Sequence, residues 1–130
     1  MKNEFTTSGP AEKVWMIVDD DEGMREFMHA LLESVGRCEV QSFSSAPEAL
    51  AAFTATPDAY QFVLTDFEMP GMNGAEFCRR LHSLKPGLQV LLVSGQATIT
   101  DAQAEVWGFC GLIKKPFPAA ELQEILEAIH

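Results

Sequence analysis

The chain alternates short apolar runs with stretches whose apolar residues recur at a helical period, and it does so five times. Trp15–Val18, Tyr60–Thr65 and Leu88–Val93 are nearly continuous apolar runs of strand length, as parallel strands covered on both faces require. Cys38–Phe43 and Phe109–Ile113 read as two further, less uniform strands. Between the first two strands, Met24, Phe27, Met28, Leu31, Leu32 and Val35 fall on one face of a helix that Gly36 closes. Ser45, with Glu48 three residues on, forms a capping box at the start of a second helix, Pro47–Phe53, and Pro57-Asp58 makes a turn. Asn73 with Glu76 caps a third helix whose Phe77, Leu81 and Leu84 face inward, until Lys85-Pro86-Gly87 ends it. Ile99–Trp107 predicts a weaker fourth helix with Ile99, Ala102 and Val106 as its apolar side. Pro118 begins a fifth, with Leu122, Ile125, Leu126 and Ile129 as its stripe.

Strand–helix alternation with right-handed crossovers gives a three-layer α/β fold. The expected topology is flavodoxin-like: a doubly wound five-stranded parallel sheet of order 2-1-3-4-5 with five helices. A chain of 130 residues makes one domain, 13–130, preceded by a polar tail over 1–12 that lacks the basic-then-apolar layout of a signal peptide. The formal charge of −10 argues against nucleic acid and anionic membranes as partners. A solvated acidic surface accounts for most of that charge. Part of it is concentrated in Asp19-Asp20-Asp21-Glu22, where like charges cost stability unless a cation or turn geometry offsets them. Cys38, Cys78 and Cys110 show no C-x-x-C spacing and read as buried reduced thiols, which suits a cytoplasmic protein. No segment approaches the roughly 18 apolar residues of a membrane span.

In the 2-1-3-4-5 order the first and third strands flank the switch point, where open α/β sheets place their ligands. The first strand stops at Asp19-Asp20-Asp21, the third at Asp66, the fourth at Ser94-Gly95 and the fifth at Lys114-Lys115-Pro116-Phe117. Asp19, Asp20 and Asp66 then converge on one crevice, with Ser94 and Lys115 on its other wall. Three carboxylates form a hard-oxygen site suited to Mg2+. With such a cation screening the anions from each other, Asp66 can serve as a nucleophile toward a phosphoryl group. The transferring group carries its charge on equatorial oxygens, which Lys115, the Ser94 hydroxyl and backbone N–H groups after Asp66 can meet. Other residues carry plainer readings. Asp21 caps the first helix. Ser94 alone would be a turn residue. Of Lys114 and Lys115 only one can face the crevice, because successive strand side chains alternate. Trp15, Met16, Met24 and Met28 are packing residues, and His29, His82 and His130 share no metal-ligand spacing and belong to the surface.

The segments I-V-D-D-D, V-L-T-D-F-E-M-P-G-M-N-G, L-L-V-S-G and K-K-P-F, in this order and spacing, resemble the receiver domain of bacterial two-component response regulators, close to the single-domain chemotaxis type. The likeness covers about Val14 to the C-terminus. It implies that Asp66 is the phosphoacceptor, with self-catalysed phosphorylation and dephosphorylation. It implies that Asp19, Asp20, Asp66 and the backbone carbonyl of Glu68 hold Mg2+, that Ser94 is the switch hydroxyl and that Lys115 contacts the phosphoryl group, which leaves Lys114 as a solvated charge. It further implies a histidine kinase or histidine phosphotransfer protein as donor, and a downstream protein target or self-dimer engaged through the fourth helix, fifth strand and fifth helix. A cis bond is expected at Lys115–Pro116. Glu68 and Gln96 occupy the positions that tune phosphoryl lifetime in the family. One position departs: three residues before Lys115 the family often has Tyr or Phe, and here stands Leu112, which cannot make the same ring rotation. Phosphorylation would then be read through the loop after Ser94 and the helix near Ile99, with Trp107 and Phe109 nearby.

Two kinds of enzyme and one kind of interaction domain fit less well. A flavin protein of this fold needs a phosphate-cradling loop after the first strand, where Asp19-Asp20-Asp21 would repel the phosphate. A phosphatase with an Asp nucleophile would carry a second Asp, which Asp66-Phe67-Glu68 lacks. A receiver-like interaction domain that works without phosphorylation would not need the intact acidic crevice, though Leu112 leaves room for it.

Overall fold

The computed structural model describes residues 14–35 and 39–129. Its elements alternate without exception. They are β1 (Val14–Val18), α1 (Glu22–Val35), β2 (Glu39–Phe43), α2 (Ala46–Ala55), β3 (Tyr60–Asp66), α3 (Gly74–Leu84), β4 (Gln89–Ser94), α4 (Asp101–Val106), β5 (Gly111–Lys114) and α5 (Ala119–Ala128), with a 3-10 turn at Pro57–Ala59. All strand pairs are parallel and the sheet order is β2-β1-β3-β4-β5, as the pattern predicts. The tail over 1–12, the closing Gly36, Cys38 at the expected start of β2, and His130 lie outside the described residues.

Strand alternation divides the core into two layers. Met16, Val18, Val63, Val90 and Leu92 point to the face covered by α2, α3 and α4, where they meet Phe53, Phe77, Leu81 and Phe109. Trp15, Ile17, Phe62, Leu64, Leu91 and Val93 point to the opposite face, against Met28 and Leu32 of α1 and Leu122 and Leu126 of α5. Neighbouring residues on one strand thus go to opposite layers, which is why β1 and β3 read as unbroken apolar runs. Trp15, fully buried, has its indole N–H satisfied by Gln61 Oε1 at 3.1 Å. The caps form where expected: Ser45 Oγ accepts from the Glu48 N–H, and Asn73 Oδ1 accepts from the Glu76 N–H at 2.9 Å.

The fourth helix differs from its prediction. Thr100 Oγ1 accepts the Gln103 N–H and starts the helix two residues after Ile99, so Ile99 is buried from the preceding loop. Ala104 is the buried helical residue, and Val106 stands 83% exposed. At the other end, Gly108 adopts φ +100°, its N–H donates to Glu105 O, and the Phe109 N–H donates to Ala104 O. This left-handed termination buries Phe109 against Ala104 and delays β5 to Gly111. Leu84, expected inside, is 43% exposed at the last turn of α3. Cys78 is buried but Cys110 is exposed, so only one of these two thiols matches its expectation. His82 is not a free surface residue: Nε2 donates to Leu88 O at 2.9 Å, and Nδ1 lies 3.7 Å from Cys78 Sγ.

Candidate functional site

Strand register brings the chemistry to one edge of the sheet. Val18 pairs with Thr65, Asp66 with Val93, and Ser94 with Lys114, so Asp19, Asp66, Ser94 and Lys115 emerge together at the C-terminal ends. A cavity of about 430 Å3 opens there, lined by Asp20, Asp66, Glu68, Ser94, Gln96 and Lys115 among others.

Asp19 is fully buried, and each part of it is engaged. Oδ1 accepts the Asp21 N–H at 2.9 Å, Oδ2 accepts from Lys115 Nζ at 3.0 Å, and the carbonyl accepts from Arg25 Nη1 at 2.8 Å. Asp21 caps α1 as expected, its Oδ2 taking the Met24 N–H at 2.8 Å. Asp66 Oδ1 accepts its neighbour's N–H, from Phe67, at 2.8 Å, while Oδ2 lies 3.5 Å from Lys115 Nζ. Carboxylate oxygens of Asp19, Asp20 and Asp66 lie within 4.8 Å of one another, the only such acid, His or Cys group among the described residues.

Burial raises the Asp66 carboxyl above the ordinary aspartate range; the Lys115 charge pulls it down and Asp19 pushes it up again. For Lys115 burial acts downward, but the hydrogen bond to Asp19 and the charge of Asp66 outweigh it and hold the ammonium above its usual range. The lysine is thus fixed as a cation beside two acids. One cation still leaves three carboxylates undercompensated. Oxygen donors this close, with excess negative charge, suit a divalent hard cation.

Ser94 is buried, and its Oγ accepts the Gln96 N–H at 3.0 Å. The Lys115 N–H donates to Ser94 O at 2.8 Å, locking the two strand ends together. Lys115–Pro116 is cis, as expected. Lys114 is exposed, as a solvated charge should be, but it is not without contacts. It reaches back over the loop after β4 and donates to Gln96 O at 3.1 Å and Ala97 O at 3.2 Å. Adjacent lysines therefore hold different things, Lys115 the carboxylates and Lys114 the Ser94 loop.

Three contributors went unread in the sequence. Arg25 steadies the Asp19 carbonyl from the first turns of α1, a contact that only the turn geometry at Asp19–Asp21 reveals. Gly74 opens α3 directly over β3: its N–H donates to Phe67 O at 2.7 Å, and a Cβ there would stand 2.7 Å from Asp66 O. The glycine of M-N-G is the available signal for that close approach. Phe67 stacks on Trp107, with ring centroids 5.1 Å apart and planes at 23°.

The response regulator receiver domain family matches residues 15–127, and the chain belongs to that family. Chemotaxis protein CheY-3 of Vibrio cholerae is 37% identical over 125 residues, covering 88% of this chain and 88% of its own. The C4-dicarboxylate transport transcriptional regulatory protein DctD of Rhizobium meliloti is 41% identical over 107 residues. That match covers 82% of this chain and only 23% of the regulator. Response regulator protein TrrA of Thermotoga maritima, solved in complex with Mg2+ and BeF, superposes with a TM-score of 0.80 at 25% identity, covering 91% of this chain and 99% of that one. The fold is that of a CheY-type receiver, a two-component signalling domain. Among the described residues no helix is long and apolar enough to cross a membrane.

Proposed function

We propose that this receiver accepts a phosphoryl group on Asp66, in a Mg2+-dependent reaction, from a histidine kinase or histidine phosphotransfer protein in the cytoplasm. One observation carries the reading: Asp66 lies within 4.8 Å of two other carboxylates and 3.5 Å from a fixed ammonium, at the mouth of a cavity open to a donor. In the reaction an Asp66 carboxylate oxygen attacks phosphorus. The P–N bond of the donor's phosphohistidine breaks, and its electron pair returns to the imidazole nitrogen. Asp19, Asp20, Asp66 and the Glu68 carbonyl would hold Mg2+, which supplies positive charge shared between the carboxylates and the phosphoryl oxygens.

The chain's own groups do the rest. Desolvation makes Asp66 more basic than a surface aspartate, hence a better nucleophile once ionised. Lys115, already positioned, neutralises charge that develops on the phosphoryl oxygens. Ser94 Oγ can exchange its contact with the Gln96 N–H for one to a phosphoryl oxygen, which moves the loop that Lys114 holds. The new charge thereby shifts a two-state equilibrium that a downstream protein, or a second copy of this chain, reads on the face of α4, β5 and α5. Glu68 and Gln96, both lining the cavity, border the approach of the water that later hydrolyses the acyl phosphate.

Incubation with acetyl phosphate and Mg2+ tests the assignment. The wild-type protein takes up phosphate, and chelation of the metal or Asp66→Asn abolishes the uptake. Undiminished labelling of Asp66→Asn would remove the basis for the proposal.

A further inference from the structure

The half-buried Leu112 leaves the site without the ring that the family often uses to reach its partner face, yet a different pair of rings bridges the same regions. Phe67 is bonded to the site at both ends of its peptide units: its N–H donates to Asp66 Oδ1, and its carbonyl accepts the Gly74 N–H. Its ring stacks on Trp107. Trp107 is the C-cap of α4, and its ring meets Phe109 edge-on, with centroids 6.4 Å apart and planes at 82°. The left-handed turn at Gly108 and the Phe109 N–H to Ala104 O bond fix both rings to the end of that helix. Trp107 also borders a groove with Asn73, Glu76, Arg79 and the exposed Val106.

We propose that the Phe67–Trp107 stack carries the state of Asp66 to the C-terminal end of α4, in place of an aromatic residue at position 112. The inference rests on Asp66 being the phosphoacceptor. Converting the carboxylate to an acyl phosphate changes the acceptor of the Phe67 N–H and turns the peptide that carries the ring. Aromatic side chains have few rotatable bonds and prefer offset stacking, so Trp107 follows Phe67 better than flexible side chains would. The helix it caps has six residues, short enough for a shift at its end to involve all of it. Core packing favours such discrete rearrangements over gradual deformation.

The test uses the full chain with beryllofluoride and Mg2+ as the phosphoryl mimic. Hydrogen exchange over residues 101–109 is followed by mass spectrometry, beside acetyl-phosphate labelling of Asp66. In wild type, beryllofluoride is expected to change exchange at the end of α4. Trp107→Leu should keep labelling at the wild-type rate and lose that exchange response, and Trp107→Phe, which can still stack, should restore it. An unaltered response in Trp107→Leu, with labelling intact, overturns this inference and leaves the phosphoacceptor reading standing. Absence of labelling in wild type overturns both. A second measurement does not depend on the Leu variant folding. In a Trp15→Phe background Trp107 is the sole tryptophan, and its emission should shift at saturating beryllofluoride. An unchanged emission spectrum would sink the proposal.

Discussion

Gly74→Ala sets two known effects against each other at the base of the site. A methyl at this position would stand 2.7 Å from the Asp66 carbonyl oxygen and 3.0 Å from Phe67 Cα, both of them backbone atoms. Since carbon prefers neighbours at about 3.5–4.0 Å, α3 and the end of β3 must separate by roughly half an ångström or more. Helix propensity acts the other way, favouring Ala over Gly by about 1 kcal/mol in a helix interior and by less at a first turn. Overpacking of this kind costs about 1–3 kcal/mol, and no flexible side chain can give way here, so sterics win. The expected net loss of about 1–2 kcal/mol lowers Tm by roughly 3–8 °C for a domain of this size. The same displacement moves Asp66 relative to Lys115, and a misplacement approaching 1 Å slows labelling by up to about 100-fold. Thermal unfolding by circular dichroism, paired with acetyl-phosphate labelling, measures both. A variant as stable as wild type or more so, labelling at the normal rate, would refute the claim that α3 is built against the Asp66 backbone.

Asp66→Asn should stabilise the metal-free fold near neutral pH. The raised Asp66 carboxyl binds its proton more tightly folded than unfolded, so stability falls as pH rises from the unfolded value through the folded one. Denaturant curves of variant and wild type should converge in acid, below the unfolded value, and separate above the folded one; a constant offset at all pH would contradict the stated cause. Lys115→Ala should bind Mg2+ more tightly, because the ammonium now occupies Asp19 Oδ2 and stands beside Asp66 Oδ2, while its phosphoryl uptake slows. Calorimetric titration showing weaker Mg2+ binding would count against that competition. Lys114→Ala frees the Gln96 and Ala97 carbonyls, so amide exchange over residues 95–98 should rise with no loss of Mg2+ affinity. Unchanged exchange there would mean that the lysine does not hold the loop.

Much of the site was legible because each of its residues follows a strand that announces itself. β1, β3 and β4 are covered on both faces, so their apolar runs mark where Asp19, Asp66 and Ser94 begin, and parallel register does the rest. The caps at Ser45, Asn73 and Asp21 were legible for a similar reason, being local hydrogen bonds over three residues. What escaped depends on long-range contact or on short elements. With six residues, α4 offers too few turns for periodicity to decide between Ile99, buried from the loop, and Val106, exposed at the helix end. Alternation allowed only one of the adjacent lysines into the crevice and the family pattern chose Lys115, but the direction of a strand side chain does not reveal which carbonyls the Lys114 ammonium can reach. Nothing local to Phe67 points to Trp107. Cys110 sits in an apolar pattern, yet Gly108 resets the chain before β5 and leaves it exposed, whereas Cys78 on α3 is buried and its thiol is pushed up to about 12.

The central claim is that phosphoryl transfer goes to one carboxylate among several crowded together, and site mapping tests that choice most directly. Acyl phosphate formed with acetyl phosphate and Mg2+ can be reduced with borohydride, which converts the modified aspartate to homoserine, and peptide mass spectrometry then locates it. The account predicts homoserine at position 66 and nowhere else. Homoserine at position 19 or 20, with Asp66 unmodified, would contradict it.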